Sequence, residues 1–312
     1  MIDSNIKKVY TINEKKEEFA LEFLKAILYG IVEGITEWLP VSSTGHLIIV
    51  QGFFPFGKGV SPAFPEMFNY VIQLGAIFAV IVLFWKKLWP FKMPDKNANF
   101  LAVDSGIFKK DQWILWFKVL VATLPSTLGL IVDDKIDALM YAENGDPNLA
   151  GLIVISAALV LYGVLFIVIE KMNKNRALKI NSTADITYKT ALIIGFFQLL
   201  AIVPGTSRSG ATIIGALIIG VARPAAAEFS FFMAIPTMFG VSFLKIVQFL
   251  SESSFASNEL VILGIGMVVS FLVSMVCIKK LMEYVKKHDF SFFGYYRIVL
   301  GIVLVAYFLL KP

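Results

Sequence analysis

Apolar residues dominate ten stretches of this chain, at about 20–39, 41–56, 66–85, 111–132, 148–170, 190–203, 207–222, 227–250, 258–279 and 291–310. Most approach the roughly 20 residues that a helix needs to cross a bilayer. The second, sixth and seventh are too short, and they flank Pro40 and the Pro204–Gly205 pair, where a helix must stop. A helix that stops inside a bilayer leaves backbone groups unpaired, which is tolerated only within protein or beside a water-filled cavity. The pattern therefore predicts an all-α polytopic membrane protein. Residues 20–56 and 190–222 read as two re-entrant helix–break–helix hairpins, with six to eight full spans around them.

Composition agrees: 57% of the 312 residues are apolar and 16% charged, where a soluble domain carries about a quarter charged. The net charge of +5 does not point to nucleic acid, because the basic residues sit between apolar spans. They orient the chain instead. The loops 86–110 (Lys86, Lys87, Lys92, Lys96, Lys109, Lys110), 171–189 (Lys171, Lys174, Arg176, Lys179, Lys189) and 279–290 (Lys279, Lys280, Lys286, Lys287) are basic and belong inside. Loop 133–148 (Asp133, Asp134, Asp137, Glu143, Asp146) and loop 251–259 (Glu252, Glu259) belong outside. Both termini then lie outside, the first hairpin opens outward and the second inward. The N-terminal lysines fit less well, offset by Glu14, Glu17 and Glu18; the polar segment 1–19 lacks the apolar core of a cleaved signal and reads as a surface or frayed interfacial helix. The lone cysteine, Cys277, excludes an intramolecular disulfide and reads as a small buried hydrophobe.

The two hairpins resemble each other. One constant shift lays Gly30 on Gly195, Glu33 on Gln198, Ser42 on Ser207 and Gly45 on Gly210. Each half holds an odd number of apolar segments, so the second half must run inverted. The expected organisation is a single membrane domain, 20–312, built of two inverted-topology repeats at about 20–170 and 186–312. Broken helices meeting near the midplane of such repeats form polar sites.

The chemistry is concentrated in residues 30–47, GIVEGITEWLPVSSTGHL. A charged side chain at bilayer depth costs roughly 2.5–3.5 kcal/mol on insertion scales, so Glu33 and Glu37 need a reason to be there. They stand four apart, on one helix face; Gly30 and Gly34 nearby allow another backbone to approach. Two carboxylates this close cannot both ionise cheaply in low dielectric. The pair is suited to hold a cation, to act as acid and base, or to share a proton. Beyond Pro40, Ser42, Ser43, Thr44 and Gly45 open a new helix whose free N–H groups make an anion site. Ser43 and His46 are three apart, close enough for a hydroxyl to face an imidazole, and hydroxyl, base and carboxylate are the ingredients of an activated nucleophile.

The second hairpin repeats the logic without the acids, through Gly205, Thr206, Ser207, Arg208, Ser209 and Gly210. Gly205 and Gly210 permit close backbone approach to a ligand. Arg208 is the sole cation of its apolar run and needs an anionic partner; phosphate matches its fork, and Glu37 is the structural alternative. Elsewhere, His288 reads as exposed, Arg297 as snorkelling to the inner edge, and Arg223 and Glu228 as a pair. Glu66, and more weakly Gln73, are placed to line the outer cavity.

The motifs E-G-x-T-E-x-L-P-V-S-S-T-G-H (Glu33 to His46) and P-G-x-S-R-S-G-x-T (Pro204 to Thr212) resemble the undecaprenyl-diphosphatase family, whose members confer bacitracin resistance. The resemblance covers most of the chain beyond residue 19. It implies that Glu33, Glu37, Ser43, His46 and Arg208 carry the activity, with Ser42, Thr44 and Ser207 as neighbours. It also implies a C55 polyprenyl diphosphate substrate, hydrolysed to the monophosphate carrier of cell-wall precursors in a bacterial plasma membrane, with the site on the outer side. On that basis Ser43 attacks the terminal phosphorus with His46 taking its proton, or His46 activates water. Glu33 and Glu37 orient His46 or hold Mg²⁺ or Ca²⁺ over the diphosphate, a metal-free route staying open. Membrane lipids are the surroundings, no nucleic acid is expected, and a homodimer is compatible with the sequence. The rival class is a polyprenyl-phosphate flippase or transporter, since inverted repeats with a midplane site also suit alternating access. The Ser-x-x-His spacing weighs against pure transport. A lipid phosphatase of the type-2 phosphatidic acid phosphatase kind would need a second catalytic His, which the position of His288 does not supply.

Overall fold

A computed structural model describes residues 2–57, 59–92, 108–129, 132–142, 147–176 and 178–310, without the side chains of 2–18, Asp133, Asp134 and Asp137. The charges of the N-terminal segment, Lys96, Asp133, Asp134, Asp137, Glu143 and Asp146 therefore lie outside the described residues. Those residues form an all-helical protein: α1 (Ile2–Thr36), α2 (Ser43–Phe53), α3 (Phe64–Leu83), a short α4 (Trp85–Leu88), α5 (Lys110–Thr127), α6 (Asp133–Met140), α7 (Leu149–Asn173), α8 (Tyr188–Leu199), α9 (Arg208–Ile218), α10 (Arg223–Glu252), α11 (Ser257–Tyr284) and α12 (Ser291–Leu310). The polar N-terminal stretch and the first apolar segment are one continuous helix.

Among the described residues five helices, α3, α7, α10, α11 and α12, are by length and composition long and apolar enough to cross a bilayer, where six to eight spans are expected. The difference lies partly in the 111–132 segment. Its helix ends at Thr127, just past Pro125, and carries Lys110, Asp111 and Lys118. Lys118 is buried and donates to the Ala184 carbonyl at 2.9 Å. The shorter apolar helices, Tyr188–Ile202 and Arg208–Ile218, stand on either side of the Pro204–Gly205 break.

Packing follows the small residues. α1 lies along α11, which also contacts α3; α12 lies along α7 and α5 along α8. A Cβ at Gly30 would stand 2.7 Å from the Gly266 carbonyl oxygen, and one at Gly34 2.8 Å from that of Ser270. No larger residue lets α1 sit this close to α11. The opposite face of α11 exposes Val268, Leu272 and Val276, four apart, while Gly266, Ser270 and Ser274 are buried. That apolar stripe suits lipid, and the small-residue face suits another helix.

Both predicted breaks are present. α1 stops at Thr36, and Pro40 cannot continue it; α8 tightens into a 3₁₀ turn, Leu200–Ile202, before Pro204. Between Ser207 and Ile218, α9 is buried along almost its whole length against α7, α8 and α10. The second hairpin therefore delivers its first turn to the protein interior.

Candidate active site

Each break ends in a strained serine. Ser42 (φ 75°) and Ser207 (φ 68°) are the non-glycine residues with positive φ among those described. Such a conformation costs of order 1–3 kcal/mol and persists only where the surroundings enforce it. Here each serine caps the helix that follows: Ser42 Oγ accepts from the Gly45 N–H at 3.3 Å, and Ser207 Oγ from the Gly210 N–H at 3.2 Å. The caps aim the first turns of α2 and α9 at the end of α1. Gly205 (φ 91°) makes the second turn possible, pressed against the backbone of Ile155.

Three side chains then join across the breaks. Ser43 Oγ donates to Glu37 Oε2 at 2.7 Å, and Arg208 Nη2 donates to Glu37 Oε1 at 3.1 Å. Arg208 Nη1 donates to the Ser230 carbonyl at 3.0 Å. Ser209 Oγ donates to the Glu37 carbonyl at 3.2 Å, tying the first turn of α9 to the end of α1. Trp38, fully buried, sets its ring edge-on to Phe231 at 5.2 Å and fixes the break from behind.

Glu33 lies one helical turn before Glu37, whose N–H donates to the Glu33 carbonyl at 3.0 Å. Its carboxyl is fully buried beside that of Glu37, and no amide, hydroxyl or cationic donor reaches either oxygen. Arg208 Nε is also buried without an acceptor. Unpaired groups of opposite sign are costly in low dielectric unless a proton or a ligand completes them. Among the described residues no three His, Cys, Asp or Glu side chains cluster as a metal site. Two carboxylates are nonetheless a fitting donor set for Mg²⁺, which completes its shell with water and substrate phosphate.

The structure does not bring His46 to Ser43. His46 Nδ1 lies 2.7 Å from the Ser42 carbonyl, and Nε2 lies 2.7 Å from Tyr296 Oη, the two rings stacked at 5.6 Å. A carbonyl only accepts, so the proton is on Nδ1, and Nε2 accepts from the tyrosine. The hydroxyl of Ser43 has turned to the carboxylate of Glu37 because helix geometry carries His46 towards α12. Thr44 is exposed on the first turn of α2, and Gly45 packs on Leu159 and Leu300.

Arg297 is a correction to the sequence reading. It does not snorkel; it is fully buried. Nη1 donates to the Pro40 carbonyl at 3.2 Å, and Nη2 to those of Gly205 at 2.8 Å and Thr206 at 2.9 Å. The guanidinium also lies 5.5 Å from the centre of the Tyr162 ring. It is the brace that holds the two breaks together. The signal was the one that marked Arg208, a single cation inside an apolar span; its place near the start of the segment disguised it.

Other expectations also change. Arg223 pairs with Glu170 at 2.6 Å, and Glu228 with Lys87 at 2.7 Å, not with each other. Glu66 pairs with Lys245 at 2.7 Å. Cys277 is half-buried, its thiol 3.3 Å from the Ile35 carbonyl. His288 is exposed, as its place in a basic loop suggests, and stacks on Tyr284 at 4.6 Å. Sequence reasoning missed Tyr296 and Ser230, whose partners are visible only in three dimensions.

Comparison with known proteins gives one consistent result. Residues 26–303 match the family described as bacitracin resistance protein BacA. A protein of Enterococcus faecalis named undecaprenyl-diphosphatase is 54% identical over 286 residues, covering 91% of this chain and 96% of that protein. One of the same name from Acetivibrio thermocellus is 52% identical over 290 residues, 93% and 98% of the two chains. Undecaprenyl-diphosphatase 1 of Clostridium acetobutylicum is 50% identical over 292 residues, 93% and 98%.

Proposed function

The chain belongs to the bacitracin resistance protein BacA family and is an undecaprenyl-diphosphatase, and we propose that it hydrolyses its lipid diphosphate where the two breaks meet. The observation that carries this reading is the chain of contacts Ser43–Glu37–Arg208, which joins a hydroxyl, a carboxylate and a guanidinium from two separate helix breaks.

In the proposed reaction the C55 tail lies among the lipid-facing helices and the diphosphate enters between the first turns of α2 and α9. Arg208 turns from Glu37 to the diphosphate, with its unpaired Nε adding a donor, while N–H groups of both turns face the developing charge. Such preorganised donors are the main contribution open to phosphoryl transfer. Ser43 Oγ attacks the terminal phosphorus and its proton passes to Glu37. An O–P bond to Ser43 forms, the bridging P–O bond breaks, and undecaprenyl phosphate leaves with the bridging oxygen. Glu37 hands its proton to the departing phosphate and is a free base again. Water then attacks the phosphoserine, losing its proton to Glu37 or to His46 Nε2, and that base returns it to Ser43 Oγ as the O–P bond to the serine breaks. Inorganic phosphate departs and Ser43 is restored. Tyr296 holds His46 in the tautomer whose Nε2 is basic. Glu33 keeps a second carboxylate beside Glu37. Mg²⁺ or Ca²⁺, if held by Glu33 and Glu37, supplies neutralising charge to the diphosphate.

The finer architecture is part of the same proposal: a membrane domain from residue 20 to the C-terminus, made of inverted repeats, with the site open to the outer face of a bacterial plasma membrane. Support comes from the matched serine caps at Ser42 and Ser207, the matched breaks, and the basic loops on one side. Phosphate release from C55 diphosphate by purified protein, with and without chelator, for wild type and Ser43→Ala, tests the scheme. Near-normal turnover of Ser43→Ala would replace serine attack by direct attack of water. Activity that survives chelation would remove the metal.

A further inference from the structure

Helix α9 has a second polar end. Its first turn carries Arg208, and its last turn borders, through Leu217, a cavity of about 160 Å³. Three cationic side chains line this cavity, Lys174, Arg176 and Arg223, against one carboxylate, Glu170. That carboxylate is already committed. Arg223 Nε reaches both its oxygens, at 2.9 and 3.0 Å, Nη2 adds a bond of 2.6 Å, and the Phe290 N–H adds another at 3.0 Å. Glu170 is buried and locked, so it does not turn to neutralise the other two cations.

Arg176 is also fixed in place, its Nη1 donating to the Ile218 carbonyl at 2.7 Å, which leaves its other edge for a ligand. Asn173, buried beside it, spends its amide on the Leu217 carbonyl at 3.0 Å. The helix-end carbonyls of α9 are thereby covered by donors and do not repel an anion. Lys174 is exposed and has no acidic partner among the described residues. The remaining edge of Arg176 and the point charge of Lys174, beside a third cation already paired with Glu170, make the small polar cavity net positive and suited to a phosphate. Leu178 and Leu217 supply an apolar wall.

We propose that this cavity binds a phosphate group carried by a membrane amphiphile, as a site distinct from the one where the two helix breaks meet. The apolar wall, and the position of the cavity at the ends of α7 and α10, both long and apolar enough to cross a bilayer, favour a lipid phosphate monoester over the free anion. Basic pockets between membrane helices at a bilayer surface recognise headgroups in this way.

The test uses full-length protein in detergent with Arg208→Ala as the background, so that a phosphate held at the two breaks does not score. Dioctanoyl-phosphatidic acid is titrated and bound lipid is read by native mass spectrometry and thermal shift, with dioctanoyl-phosphatidylcholine as the control. Binding of the monoester lipid, weakened about tenfold or more by Lys174→Glu or by Arg176→Gln, is the expected result, since each removes a charge-assisted contact. Lys174 is exposed and its replacement does not threaten folding. In the wild-type background the same two variants should keep phosphate release within about twofold, a change too small to score as loss of a contact. Competition by inorganic phosphate at equal concentration would support the phosphate site with the free anion as its ligand; failure to compete supports the headgroup. Unchanged affinity in both variants, or equal binding of phosphatidylcholine, would overturn the proposal and leave the reading of the two breaks untouched.

Discussion

Ser43 Oγ lies 2.7 Å from Glu37 Oε2, and it donates there instead of to His46. The carboxylate that accepts from the proposed nucleophile also accepts from Arg208 on its other oxygen. One side chain therefore couples the hydroxyl of the first break to the cation of the second. Binding of a diphosphate by Arg208 frees half of Glu37 at the moment the hydroxyl must lose its proton.

This arrangement predicts that Glu37→Gln is nearly as damaging as Ser43→Ala. General-base assistance contributes about 10²–10⁴-fold, so phosphate release from C55 diphosphate should fall by about that factor in Glu37→Gln. His46→Gln should be milder if Glu37 accepts the proton. Should His46→Gln match Ser43→Ala while Glu37→Gln retains most turnover, the histidine is the base and the Ser43–Glu37 contact is only structural.

Arg208→Lys keeps the charge but not the fork. The native guanidinium spans Glu37 Oε1 and the Ser230 carbonyl, with Nε still free for substrate. A lysine ammonium does not reproduce that planar set of donors. Loss of about 10²–10³-fold in kcat/KM is expected, the range seen when one oxyanion donor is removed. Steady-state kinetics on purified protein would show it; wild-type kcat/KM in Arg208→Lys would reduce Arg208 to a charge.

Much of this site was legible in the chain because a membrane makes polar residues conspicuous. Glu33, Glu37 and Arg208 stood out against apolar runs, and Pro40 and Pro204 marked the breaks that bring their helices together. What periodicity does not carry is direction. Nothing in the spacing of Ser43 and His46 says that one turns to Glu37 and the other to Tyr296, because the partner of His46 lies on α12. Arg297 was misplaced for a related reason: depth in a membrane was inferred from distance along its own segment, while α12 packs its first turns into the protein interior beside α7. The 111–132 segment reads as an apolar run, but its helix falls short of a span by composition, because Lys110, Asp111 and Lys118 sit in it and Lys118 is a buried charge satisfied by a carbonyl.

Arg297→Met should uncouple the two breaks. It would leave the carbonyls of Pro40, Gly205 and Thr206 without their donor, and an unpaired buried acceptor costs about 1–3 kcal/mol. Thermal unfolding in detergent should move down by several degrees, with activity lost in parallel. Arg297→Lys should recover part of the stability. A methionine variant with wild-type Tm would show that the carbonyls find other donors and that Arg297 is not the brace.

The strained caps make the sharpest comparison. At Ser42 and Ser207 a glycine relieves a positive-φ backbone, worth about 1 kcal/mol or more, and although it forfeits the hydroxyl, glycine at an N-cap costs only about a few tenths of a kcal/mol. Alanine forfeits the cap and keeps the strain. Ser42→Gly and Ser207→Gly should therefore leave Tm within a few degrees of wild type, and Ser42→Ala and Ser207→Ala should fall clearly below their glycine counterparts. Both positions should respond alike, since the Gly45 and Gly210 N–H groups lose equivalent partners. Alanine variants as stable as the glycine ones would mean that the helix turns of α2 and α9 relax out of the positive-φ conformation once the serine is gone. The strain would then belong to the side-chain bond and not to the fold around it.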